Sequence, residues 1–142
     1  MPFYTNIVQL VSTFAVLFVV YIILALLDLD EVDVIGGLSF LVFQPIMGFV
    51  LTIVTMVICF IAGLPIRFRS RFGRWWKANP YIPVIGVVIA LLMISFAFTP
   101  MCSVPRKVLL NEVVVVKKVP NIFMIITGWF LLGFSLMHFY PR

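Results

Sequence analysis

The chain of 142 residues is 64% hydrophobic and 11% charged, with a formal net charge of +5 and a mean hydropathy of +1.25. A soluble domain carries roughly 25% charged residues, so ten Lys/Arg and five Asp/Glu cannot give a fold of this size a wettable exterior unless lipid covers most of it. Composition therefore excludes an ordinary water-soluble domain and predicts a polytopic membrane protein.

The charges fall in clusters, leaving 2–27, 34–66, 78–105 and 119–141 without any ionised side chain. Each neutral segment exceeds the roughly 20 residues needed to cross a hydrocarbon core about 30 Å thick. Four spans are predicted, at 7–27, 46–63, 81–99 and 121–140. In lipid every backbone amide must bond within its own segment or within a closed barrel. These runs do not alternate with polar residues, so they are read as helices. The expected fold is an all-α membrane protein in a single domain, 1–142, folded as an antiparallel four-helix transmembrane bundle with a short β-hairpin in the third loop.

The first span resembles a secretion signal only superficially, because the residues before it carry no Lys or Arg and the apolar run is too long; it is expected to be retained. The connection that follows carries Asp28, Asp30, Glu31 and Asp33 before Gly36 and Gly37. That order does not match a calcium loop, which wants glycine at its sixth position and glutamate at its twelfth. A solvated acidic cap is expected, and its shortness makes the first two helices antiparallel neighbours.

The second neutral run is long for one crossing. As a single helix, 34–66 would extend about 50 Å at 1.5 Å per residue. Pro45 cannot donate to the carbonyl of Leu41, and its ring crowds that turn. A kink at Pro45 would leave 34–44 as an interfacial lead-in while 46–63 crosses; a re-entrant helix is the sharper alternative.

Between the second and third spans lies the most charged stretch. Arg67, Arg69 and Arg71 alternate with Phe68 and Phe72, followed by Arg74, Trp75, Trp76 and Lys77. Tryptophan favours the headgroup layer, and each cation near an anionic leaflet contributes about 1 kcal/mol. Contact with anionic headgroups or an acidic partner surface is expected. Basic residues among aromatics also suit single-stranded nucleic acid, but this connector is too short to form a groove several nucleotides long.

The third span carries Gly86, Ala90, Met93 and Ala97 on one stripe, and the fourth carries Gly128, Ser135 and His138 on another. Small residues let membrane helices approach closely, so Gly86, Ala90, Ala97, Gly128 and Ser135 are read as helix packing or a subunit interface. Between these spans, prolines bound two aliphatic runs around Asn111 and Glu112, the pattern of a small hairpin. An isolated two-stranded ribbon is marginal in water and wants a partner.

Little in the chain carries chemistry. His138 is the lone histidine, near the end of its span, and the spans hold no Asp, Glu, Lys or Arg. A proton relay or metal centre needs further ligands, so no metal and no cofactor are expected. Cys59 and Cys102 are read as unpaired. No nucleophile triad, phosphate-binding glycine loop or zinc motif is present. The expected function is a non-catalytic integral subunit or self-assembling scaffold, as a homo-oligomer or with other membrane subunits. The alternatives are an oligomeric pore or facilitator lined by Ser12, Thr13, Gln44, Thr52, Thr55 or Ser95, and an enzyme acting on lipid or quinone.

Four crossings place both termini and the middle loop on one face, with Arg67, Arg69, Arg71, Arg74, Lys77 and Arg142 against Arg106, Lys107, Lys117 and Lys118 opposite. The excess of Lys/Arg assigns cytoplasmic termini in the inner membrane.

Overall fold

The structure, a computed structural model, describes residues 2–27, 34–110 and 113–139. The acidic cluster from Asp28 to Asp33, the hairpin tip at Asn111 and Glu112, and Arg142 lie outside them.

The chain is largely helical, in the order α1 (Pro2–Leu27), α2 (Val34–Ala62), α3 (Leu64–Phe68), α4 (Ser70–Ala78), α5 (Tyr81–Ala97), β1 (Val104–Leu110), β2 (Val113–Val119) and α6 (Ile122–Met137). Two helices are long and apolar enough to cross a membrane, over Asn6–Leu27 and Gly36–Ala62. The other two apolar segments come out shorter than the sequence suggests. α5 has 17 residues and α6 has 16, which at 1.5 Å per residue is about 24–26 Å. Local chemistry sets those limits. Asn121 caps α6 by accepting from the amides of Phe123 and Met124 at 3.1 and 3.4 Å, satisfying donors that have no partner within the helix. Prolines at 80 and 83 open α5, where a missing amide costs nothing, and Pro100 follows its end.

Pro45 lies inside α2, which stays helical from Val34 to Ala62. The interfacial lead-in at 34–44 is therefore part of the same helix as the predicted span. α2 ends at Gly63, where the chain turns into α3, whose first turn contains Pro65. Arg69 is extended, with φ −86° and ψ 105°, and separates α3 from α4. A further bend of 75° separates α4 from α5 at Asn79 and Pro80.

α6 is the central element, packing against α1, α2 and α5, while α1 and α2 also pack on each other. Its tightest partner is α5, along the stripes of small residues. A methyl group on Gly128 would lie 2.9 Å from the carbonyl oxygen of Ala90 and 2.8 Å from Cγ1 of Ile94, so the two backbones are as close as a bare glycine allows. A methyl group on Gly86 would collide with Oγ of Ser135. Ala90 and Ala97 are wholly buried. These residues thus pack within the chain.

Leu17, Met56, Cys59, Ala90, Trp129, Leu132 and Met137 form the apolar core. Polar atoms share it: Thr13, Thr52 and Thr55 are buried, and Trp129 Nε1 donates to Thr55 Oγ1 at 2.8 Å. Outside, Leu41 and Phe43 are 69% and 64% exposed, and most of the outward face of α1 and α2 is equally aliphatic. An exterior at least as apolar as the interior is incompatible with water and normal in lipid, where the hydrophobic effect does not sort residues inward.

β1 and β2 form an antiparallel two-stranded sheet in which Val104 pairs with Val119, Arg106 with Lys117 and Leu110 with Val113. The expected hairpin is present, and it packs on no helix to an extent comparable with its own pairing.

Candidate functional site

Side-chain hydrogen bonds tie the helices together at one end, where the first half of α1, the α2–α3 turn, α4 and the last turn of α6 meet. Gln9 Nε2 donates to the carbonyl of Leu136 at 3.0 Å, tying α1 to α6. Trp76 Nε1 donates to the carbonyl of His138 at 2.8 Å, tying α4 to α6. The Trp76 ring meets Phe134 edge-on at 6.0 Å, a favoured aromatic geometry.

His138 is wholly buried in protein. Its ring stacks on Phe134 with centroids 4.5 Å apart, and Nδ1 lies 2.9 Å from the Phe134 carbonyl. A carbonyl oxygen only accepts, so Nδ1 carries the proton and Nε2 of the neutral ring presents a lone pair. Nε2 has no hydrogen-bond partner and is pressed against Gly63, where a methyl group would overlap the ring. Gly63 is therefore required by a side chain, since its φ of −86° is open to any residue. Among the described residues no group of three or more His, Cys, Asp or Glu is assembled for a metal.

The basic stretch folds as two short helices around Arg69. Within α4, Arg71, Arg74 and Lys77 recur every third residue along one face, and Phe72, Trp75 and Trp76 occupy the opposite one. This is the pattern of a helix lying in a membrane interface, aromatic rings toward the acyl boundary and cations toward the headgroups. Trp75 is 53% exposed, and its ring leans on those of Phe72 and Trp76, at 6.0 and 6.4 Å. Arg69, Arg71, Arg74 and Lys77 are exposed.

Arg67 behaves differently from the other cations. It is half-buried, its guanidinium lies over the ring of Phe60 with Cζ 4.9 Å from the centroid, and its Nε is buried without a partner. Phe60 forms part of an apolar groove of about 560 Å³ between α1 and α2, whose walls include Val11, Phe14, Ile53, Val57 and, from α6, Met137.

No protein-family model, curated protein or solved structure matches this chain. Any chemistry assigned to the site thus rests on its own geometry.

The polar residues weighed as the lining of an oligomeric pore are divided between the chain's interior and its surface. Thr13, Thr52 and Thr55 are enclosed within the chain, Gln44 accepts from Tyr21 Oη at 2.6 Å, and Ser12 and Ser95 are exposed. Cys59 is buried and Cys102 partly exposed, and both are free thiols. Reading the sequence misses the α4 helix, the Trp76 clamp on α6 and the groove. Trp76 carried a local signal as part of the aromatic run, but its acceptor lies 62 residues away.

Proposed function

We propose that the chain is a non-catalytic subunit or self-assembling scaffold of a membrane complex, with α1, α2, α5 and α6 crossing the bilayer in antiparallel order. In this reading both termini and α4 lie on the cytoplasmic face, with α4 held against anionic headgroups, and the β1–β2 hairpin stands on the opposite face as the contact surface. The observation that carries it is the hairpin. Val114, Val115 and Val116 are 58%, 43% and 61% exposed, and among the described residues no helix packs extensively on the ribbon and no third strand pairs with either outer edge. Such an edge pairs readily with a strand from another chain.

Replacing Val115 with Asp tests this, because it buries a charge in the proposed contact while leaving the helices untouched. Complex recovered from membranes in mild detergent is expected to fall about tenfold or more, as burial of an uncompensated charge costs several kcal/mol. Native protein recovered as a lone monomer with nothing attached, or complex yield unaffected by Val115→Asp, contradicts the proposal. The competing pore reading predicts solute flux through liposomes containing the purified protein; no flux over a broad panel is expected.

A further inference from the structure

The geometry points to a bound anionic phospholipid, with one acyl chain in the groove between α1 and α2 and its phosphate on the guanidinium of Arg67. The walls contributed by Val11, Phe14, Ile53, Val57, Phe60 and Met137 offer nothing polar, which suits an acyl chain. Exposure of Val11 and Val57, at 59% and 52%, shows that the groove opens outward along the helix seam. Its volume, about 560 Å³, is within the span usual for small-ligand sites.

An apolar groove in a bilayer gains no hydrophobic energy by taking a tail from equally apolar lipid. It must still be filled, since an empty wall forfeits its dispersion contacts. What selects the occupant is the charge at the groove's end. Phe60 belongs both to the groove wall and to the contact under Arg67, so acyl wall and cation are continuous. Arg67 has a buried Nε that finds no partner among the described residues, and a guanidinium paired with phosphate makes short, charge-assisted hydrogen bonds. Arg67 N donates to the Gly63 carbonyl at 3.3 Å, which fixes the backbone from which the side chain reaches. The assembly role proposed for the hairpin, some distance along the chain, is independent of this site.

Native mass spectrometry of the purified protein in a neutral detergent provides the test, titrating phosphatidylglycerol, phosphatidylcholine with identical acyl chains, and inorganic phosphate. One phosphatidylglycerol should be retained about tenfold more tightly than phosphatidylcholine, and millimolar inorganic phosphate should not displace it. Arg67→Gln should remove that preference, because phosphatidylcholine carries its own cation beside the phosphate whereas phosphatidylglycerol draws on Arg67 for one, and a hydrogen bond to a charged group is worth about 1.5–3 kcal/mol, roughly tenfold or more. Val57→Trp, which fills the groove and leaves every cation in place, should lower retention of both lipids. Lys107→Gln, an exposed β1 cation away from the groove and α4, should change nothing. Equal retention of the two lipids, displacement by free phosphate, equal effects of Arg67→Gln and Lys107→Gln, or unaltered binding by Val57→Trp overturns the assignment. Helix content by circular dichroism confirms that each variant compared is folded.

Discussion

Gly63 and His138 occupy adjoining space at the end of α6, and neither position is intelligible without the other. Gly63→Ala drives a methyl group into the buried imidazole, and because the ring is stacked on Phe134 and bonded to its carbonyl it cannot simply rotate away. The expected cost is about 1–3 kcal/mol, the usual range for overpacking, read as a lower midpoint of thermal unfolding in detergent. His138→Ala in the same chain removes the clash, so the pair should be non-additive, with Gly63→Ala costing less in that background. Additive effects would show that the ring does not fill the space over Gly63. Trp129→Phe tests a different kind of contact. It deletes the donor to Thr55, and interhelical hydrogen bonds in membranes average roughly 0.6 kcal/mol with a maximum near 1.7. A loss well above that range would mean that Trp129 acts mainly by its bulk.

At the scale of elements, α4 and the hairpin are the two pieces for which contact outside the helix core is proposed. If α4 rests in the interface, its amides should exchange hydrogen more slowly in nanodiscs of anionic lipid than in zwitterionic ones. Replacing Arg71, Arg74 and Lys77 together by Gln should abolish that difference, as each contributes about 1 kcal/mol of attraction. Exchange indifferent to lipid charge would place α4 elsewhere. The hairpin was legible in the sequence because β-branched runs and bounding prolines are local signals. α4 was not, and the reason is specific. Arg67, Arg69 and Arg71 alternate as if extended, but only Arg69 is extended; beyond it Arg71, Arg74 and Lys77 fall into helical spacing. The amphipathic face becomes visible only once the break is placed. α2 shows the converse limit. Its excess length and Pro45 suggested a kink at that residue; the segment is helical on both sides of the proline, and the chain leaves the helix at Gly63.

At the scale of the molecule, the neutral segments announced a membrane protein, because charge is too costly in hydrocarbon to be scattered. Two of the four expected spans are long enough by themselves. α5 and α6 are shortened by proline and asparagine at their ends, and whether helices of that length cross is decided by tilt and local bilayer thickness, which a hydropathy pattern does not carry. The tertiary site was illegible for a related reason. His138 meets Gly63, Trp76 meets His138 and Arg67 meets the groove only through long-range packing, and no local pattern encodes those pairings.

The proposed four crossings separate the hairpin from α4 by the full bilayer, and labelling of single cysteines with a membrane-impermeant maleimide on intact cells tests this directly. Cys102, between α5 and β1 and partly exposed, should react from outside in a chain where Cys59 stays silent. In a Cys102→Ser background, a thiol introduced by Arg71→Cys should react only after permeabilisation. Labelling of both positions on intact cells, or of neither until the cells are permeabilised, would mean that α5 does not cross and would contradict the account.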